Sequence, residues 1–156
     1  KTIKKSFAMT GWRVGFIAAK KQWIPPIFKV HQTVVTTGVT VSYAAAAEAF
    51  RNSETDIERM RAAYETRRNI CLDALTKVGF VVPEPKGAFY VFARIPEKFG
   101  SDDLAFCQAL AKEARVGMIP GSIFGPGGEG YVRMSFALAT DLVTEAMRRV
   151  STFVGE

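Results

Sequence analysis

Apolar and polar positions fall into blocks whose spacing changes along the chain. Arg13–Ala19 (RVGFIAA) packs β-branched and aromatic residues into a short run, which predicts a buried strand, and the polar Lys20–Gln22 after it predicts a turn. Trp23–Val35 reads as a helix, with Pro25 and Pro26 in the first turn, where a missing N–H matters least. A small-residue helix follows over Val41–Arg51, and its run of four alanines suits close packing. Ile57, Met60, Tyr64, Cys71, Leu75 and Val78 then recur at three, four or seven residues, one apolar stripe on a long helix. Ser53 is its predicted cap, with Asp56 completing a partial capping box, and Gly79 is its predicted stop.

The second half has shorter periods. Phe80–Val82 and Ala88–Ile95 (AFYVFARI) predict strands. Ser101 is the expected cap of a helix running to Ala114, with Asp102 and Asp103 at its positive end. Val116–Ile119 and Tyr131–Phe136 predict two strands around a glycine-rich loop. Thr140 is expected to cap a last helix that turns Leu142, Val143, Ala146, Met147, Val150 and Phe153 to the core. The order β–β–α–β–β–α predicts an α+β layer with a helix pair over a small sheet. The implied division is 1–56 and 57–156.

Composition narrows the classes. With 156 residues, 48% apolar and 23% charged, the chain is globular rather than disordered. No apolar run approaches the roughly 18–20 residues that span a bilayer. The chain starts at Lys1 with neither an initiator Met nor a secretory leader, which predicts a cytoplasmic protein and a piece of something longer. Cys71 and Cys107 are expected to be buried, reduced thiols. A single histidine, His31, leaves no zinc constellation, and without a G-x-S-x-G elbow a Ser-His-Asp hydrolase is set aside.

Charge changes the picture more. The net charge is +6, yet Lys1–Ala47 holds seven Lys or Arg and no acid, while the remainder holds fourteen basic against fifteen acidic residues. Such asymmetry points to nucleic acid, an anionic membrane, a small anionic ligand, or an acidic segment outside this chain. Nucleic acid is disfavoured, since no basic helix face or interleaved aromatic platform is present. Gly125-x-Gly127-x-x-Gly130 matches G-x-G-x-x-G literally. A dinucleotide site needs a helix after it, however, and here a strand follows, so the prediction is a turn-forming loop.

Three segments carry a resemblance. Lys5-Ser-Phe-Ala-Met-Thr-Gly-Trp-Arg13-Val-Gly15 resembles the cofactor-lysine signature of the class I/II aminotransferases, fold-type-I enzymes dependent on pyridoxal 5′-phosphate (PLP). Pro120-Gly-Ser-x-Phe-Gly125, followed by Gly130-Tyr-Val-Arg133-Met-Ser-Phe-Ala137, resembles the C-terminal signature of the same family, and Pro85-x-Gly87-Ala-Phe-Tyr90 lies between them in family order. The group most resembled is the aspartate/aromatic aminotransferases.

The resemblance implies an α/β chain that is a fragment of a fold-type-I PLP-dependent transferase. Residues 1–56 would be the C-terminal tail of the PLP-binding large domain and 57–156 the small α+β C-terminal domain. Lys5 would form the Schiff base with PLP, its amine kept neutral by nearby Lys4 and Arg13, whereas the alternative is a solvated Lys4–Lys5 pair. Lys5 is preferred because it stands eight residues before Arg13. Arg13 would bind the PLP phosphate through its planar fork. Thr2 would add a hydroxyl to the same phosphate, or be a plain strand-end threonine. Arg133, in an apolar strand where an unpaired charge is costly, would bind the substrate α-carboxylate; the alternative is a structural ion pair.

The implied reaction is ping-pong transamination between an amino acid and a 2-oxo acid. It belongs to an intact homodimeric enzyme, without metal, nucleic acid or membrane, and the fragment alone is expected to be inactive. The same lysine and arginines also serve carbon–sulfur β-lyases and aminocyclopropane-carboxylate synthases, and a non-catalytic folded module is the remaining alternative.

Overall fold

Each apolar stripe becomes a helix or strand only where a second surface covers it, and the chain obeys this differently in its two halves. The computed structural model describes residues 3–155. It divides into two compact units, Lys1–Met60 and Arg61–Glu156.

The first unit is helical: α1 (Ile3–Ser6), α2 (Ile24–Val34), α3 (Thr40–Asn52) and the start of α4 (Glu54–Lys77). Pro25 and Pro26 occupy the first turn of α2, as their missing N–H groups require. A small core gathers Ile3, Met9, Ala46 and Ala49, with Phe7, Val14 and Ala45 against it, so the alanine run of α3 does admit close packing. Phe50 presents itself edge-on to Phe7 at 5.1 Å and to Phe16 at 5.7 Å. The strand expected at Arg13–Ala19 does not form. A strand exists only through a neighbour's N–H and C=O groups, and none of the described residues offers this segment a ladder. Ile17 is accordingly exposed.

The second unit is the α+β layer. α4 carries Cys71 and Leu75 into its core and ends at Gly79, whose φ of +92° a side chain would resist. The Phe80 N–H reaches the Leu75 carbonyl at 3.0 Å and the Gly79 N–H reaches that of Thr76 at 3.1 Å, the paired bonds of a Schellman stop. At the other end the capping box is not made, because the Asp56 carboxylate accepts from Arg59 at 2.8 Å. Three antiparallel strands follow in the spatial order β1 (Tyr90–Arg94), β3 (Tyr131–Ser135), β2 (Ile119–Pro120). The expected strand at Phe80–Val82 shrinks to one bridge between Val81 and Arg94. Helix α5 (Asp103–Glu113) is capped by Asp102, whose carboxylate accepts the Ala105 N–H at 2.9 Å, and not by Ser101.

Helix α6 (Thr140–Val154) begins one residue earlier than a Thr140 cap would require, and the Thr140 hydroxyl accepts instead from Arg67 at 3.1 Å. Val143, Met147, Val150 and Val154 are its buried stripe. Leu142, expected in the core, is 55% exposed because it lies off that 3.6-residue face. The centre of the unit holds Leu75, Val91, Leu110, Val132, Phe136 and Val150, none more than 2% exposed. Burying each contributes about 1.5–3 kcal/mol.

Candidate active site

In the first unit the segment after α1 is held in an unusual backbone course. Ala8 (φ +53°) and Arg13 (φ +50°) both take the left-handed conformation without being glycine, at about 1–3 kcal/mol each. What fixes them is a pair of anchors. Met9 is buried, and its carbonyl accepts the Trp12 N–H at 3.4 Å. Ser42 on α3, itself buried, donates its hydroxyl to the Trp12 carbonyl at 2.8 Å. The peptide entering Arg13 is therefore tied to a helix.

Lys5 on α1 and Arg13 in this anchored segment are both exposed, whereas Lys4 is half-buried. The one-turn helix α1 turns Ile3 into the small core, which leaves Lys5 on the outer side. Arg13 has no carboxylate within 4 Å among the described residues. Thr2 lies outside the described residues.

In the second unit β3 is the central strand, and alternation separates its faces: Val132 and Met134 are buried while Tyr131 and Arg133 are half-buried. Arg133 thus lies not in the apolar core but on the opposite face of the sheet, across from Phe92 of β1. Its guanidinium carbon stands 4.7 Å from the ring centre of Tyr90 and 4.5 Å from that of Phe124. Two aromatic faces take the place of water around the cation, each contributing about 0.5–1 kcal/mol. No described residue offers it a carboxylate within 4 Å, so the structural ion pair entertained above is not present among them. The donor edges remain for another anion.

Phe124 ends a 3-10 turn, Gly121–Phe124, at the start of the glycine-rich loop. This loop closes on itself: a Cβ on Gly121 would stand 2.3 Å from the Gly128 carbonyl oxygen, and one on Gly128 would stand 2.1 Å from that of Gly121. Gly125, Gly127 and Gly130 all have positive φ. The glycines therefore serve backbone-on-backbone packing.

Asp103, on α5 and only 4% exposed, accepts the Ser122 N–H at 2.7 Å. Burial pushes its carboxyl up, but hydrogen bonds from the Ser122 N–H and hydroxyl, from its own N–H and from the Gly130 N–H outweigh this and hold it below the usual carboxylate value. The thiols are inert by comparison. Burial pushes Cys71 up to about 12, and burial together with the Asp103 charge pushes Cys107 up to about 11.

Tyr90, Phe124, Asp103 and Ser42 are the positions that sequence reasoning missed. Tyr90 and Phe124 fall inside the two later motifs, and alternation along β1 puts Tyr90 and Phe92 on one face. The approach of the 3-10 turn to that face has no sequence signal.

Residues 1–150 match the family Aminotransferase class I and II. The chain belongs to that family. It is 42% identical to aromatic-amino-acid aminotransferase 2 of Thermococcus litoralis, over 99% of this chain and 40% of the relative. It is 41% identical to an aspartate aminotransferase of Pyrococcus abyssi, again over 99% of this chain and 40% of the relative. The crystal structure of an aromatic aminotransferase from Pyrococcus horikoshii superimposes with a TM-score of 0.88 at 42% identity, covering 94% of this chain and 40% of that one. The chain therefore spans about two-fifths of the length of the relatives it matches, and its fold is part of the fold-type-I aminotransferase architecture.

Members of this aminotransferase family use PLP, a phosphate-bearing aldehyde. The donor set of the first unit suits such a group. It has an exposed amine at Lys5 and, at Arg13, an exposed guanidinium with no carboxylate within 4 Å among the described residues, in a stretch free of acids from Lys1 to Ala47. Among the described residues no cluster could hold a metal ion, and no helix is long and apolar enough to cross a membrane.

Proposed function

We propose that this chain supplies the cofactor-anchoring lysine and two anion-binding arginines of a PLP-dependent aminotransferase, exchanging the amino group of an amino acid with a 2-oxo acid in a ping-pong cycle. The observation that carries the reading is Arg133. It is a half-buried guanidinium against two aromatic rings, with no described carboxylate partner and with donor groups left for a planar anion.

Arg13, set by the Ser42-anchored turn, would hold the cofactor phosphate with a bidentate fork, and Thr2 would add a hydroxyl to it. Lys5 would attach the cofactor through its amine and, once released by the incoming amino acid, carry a proton from and to the substrate Cα. The cofactor, when bound, supplies the electron sink that makes the Cα–H bond acidic. Arg133 would orient the substrate by its carboxylate, which both the amino acid and the oxo acid present. We assign these steps to the intact cytoplasmic homodimer, with this chain inactive alone, because three-fifths of the length of its relatives lies outside it.

Kinetics of two conservative variants of the intact protein test the assignment. Arg133→Lys keeps the charge and removes the fork, so kcat/KM should fall for both substrates by about 1.5–3 kcal/mol, roughly 10- to 100-fold, with PLP retention unchanged. Arg13→Lys should instead raise the PLP concentration needed for full activity and leave substrate discrimination intact. Wild-type kcat/KM in Arg133→Lys would remove Arg133 from the substrate site. Product formation that needs no amino acceptor would identify a lyase.

A further inference from the structure

One buried acid has no part in the chemistry above, yet it grips the loop that shapes the Arg133 site. Asp103 is the only buried charged residue among those described. It begins α5, but its carboxylate is spent on the Gly121–Gly130 loop rather than on its own helix, whose end Asp102 already caps. It accepts from the Ser122 N–H at 2.7 Å, at the start of the loop. That bond fastens the 3-10 turn that delivers Phe124, in a loop whose Gly121 and Gly128 backbones touch. Phe124 is in turn one of the two rings against the Arg133 guanidinium, and its other aromatic neighbour is Phe92 of β1 at 6.3 Å.

We propose that Asp103 is a positioning residue for carboxylate recognition, holding the Gly121–Phe124 turn so that Phe124 packs against Arg133 and leaves its donor edges to the substrate. This rests on the reading of Arg133 as the substrate-carboxylate site. Freed of the buried carboxylate, the 3-10 turn loses its anchor on α5. Phe124 can then leave the guanidinium, which regains water and other orientations. The damage is to carboxylate binding, not to proton transfer at Cα or to the cofactor phosphate.

The test is steady-state kinetics of the intact, PLP-loaded enzyme with 2-oxoglutarate as acceptor, alongside thermal melting. Asp103→Ala should raise the KM for the oxo acid about tenfold, and Asp103→Asn, which keeps one acceptor oxygen, should raise it less. In both, kcat at saturation should stay within about twofold and the PLP dependence should not move. Phe124→Leu, which leaves the buried carboxylate alone, should reproduce the KM increase, and adding Asp103→Asn to it should bring little more. If Asp103→Ala does not fold, the Asp103→Asn and Phe124→Leu arms decide. A purely structural Asp103 predicts lowered melting temperatures with wild-type KM, and that result, or independent multiplication of the Asp103 and Phe124 effects, overturns the proposal. Arg133→Lys in parallel separates the two layers. Wild-type KM there sinks the Arg133 reading itself, whereas a raised KM in Arg133→Lys with wild-type KM in the Asp103 variants sinks only the role of Asp103.

Discussion

Lys4 and Lys5 are chemically identical neighbours, and their surroundings separate them. Ile3 turns into the small core of the first unit, Lys4 is half-buried beside it, and Lys5 faces outward. On the proposed reading, the amine that reaches the cofactor aldehyde is the outward one. Borohydride reduction of the intact protein with PLP, followed by peptide mapping, should therefore place the pyridoxyl group on Lys5. Lys5→Ala should abolish transamination, while Lys4→Ala should keep much of it; an adduct on Lys4 would reverse the assignment. Sequence spacing alone already favoured Lys5. Arg133 is the opposite case, since its place in an apolar strand suggests a charge in the core, and strand alternation puts it on the other face, against two rings.

Among the elements, the glycine-rich loop shows how a motif can match in letters and differ in physics. Its glycines serve two distinct needs, and substitution should separate them. Gly127→Ala meets nothing within 4 Å and is strained only by its positive φ, at about 1–2 kcal/mol. Gly121→Ala drives a Cβ to 2.3 Å from a backbone oxygen, so the loop must open, at about 1–3 kcal/mol or more. Thermal or urea melting should show Gly121→Ala as the more destabilised of the two, and in the intact enzyme it alone should also raise substrate KM, because opening the loop moves Phe124. Equal melting of the two variants would mean that the close approach of Gly121 to Gly128 does not persist in solution.

At the scale of the whole molecule the two units differ in how completely they bury what they carry. The second unit has a central core of residues almost wholly withdrawn from water. In the first, α2 buries none of its residues, and Phe28, Val30 and Val34 are 57%, 64% and 74% exposed. Local opening free energy follows buried apolar contact, so hydrogen exchange of this 156-residue chain should be uneven. Amides of β1 and β3 should exchange slowly, and those of residues 13–35 within seconds to minutes. Uniform protection across both regions would show that α2 and the segment before it are covered in solution.

The sequence by itself determined the helices, because their apolar stripes, prolines and terminal glycine are local signals: α2, α3, the body and Schellman end of α4, and most of the buried face of α6. It also determined the family, through three motifs in order, and singled out Lys5, Arg13 and Arg133. Tertiary structure decided whatever depends on a distant neighbour. Arg13–Ala19 has strand composition, but a strand is a relation between two segments and the described chain holds no partner for it. Asp103 reads as a helix-dipole acid, and only the approach of Ser122 ties its carboxylate to the loop. Tyr90 and Phe124 lie thirty-four residues apart, and the sheet register together with the 3-10 turn brings both rings to one guanidinium. Local patterns report what a residue prefers; which side chain meets which anion is set by packing between elements that the pattern does not encode.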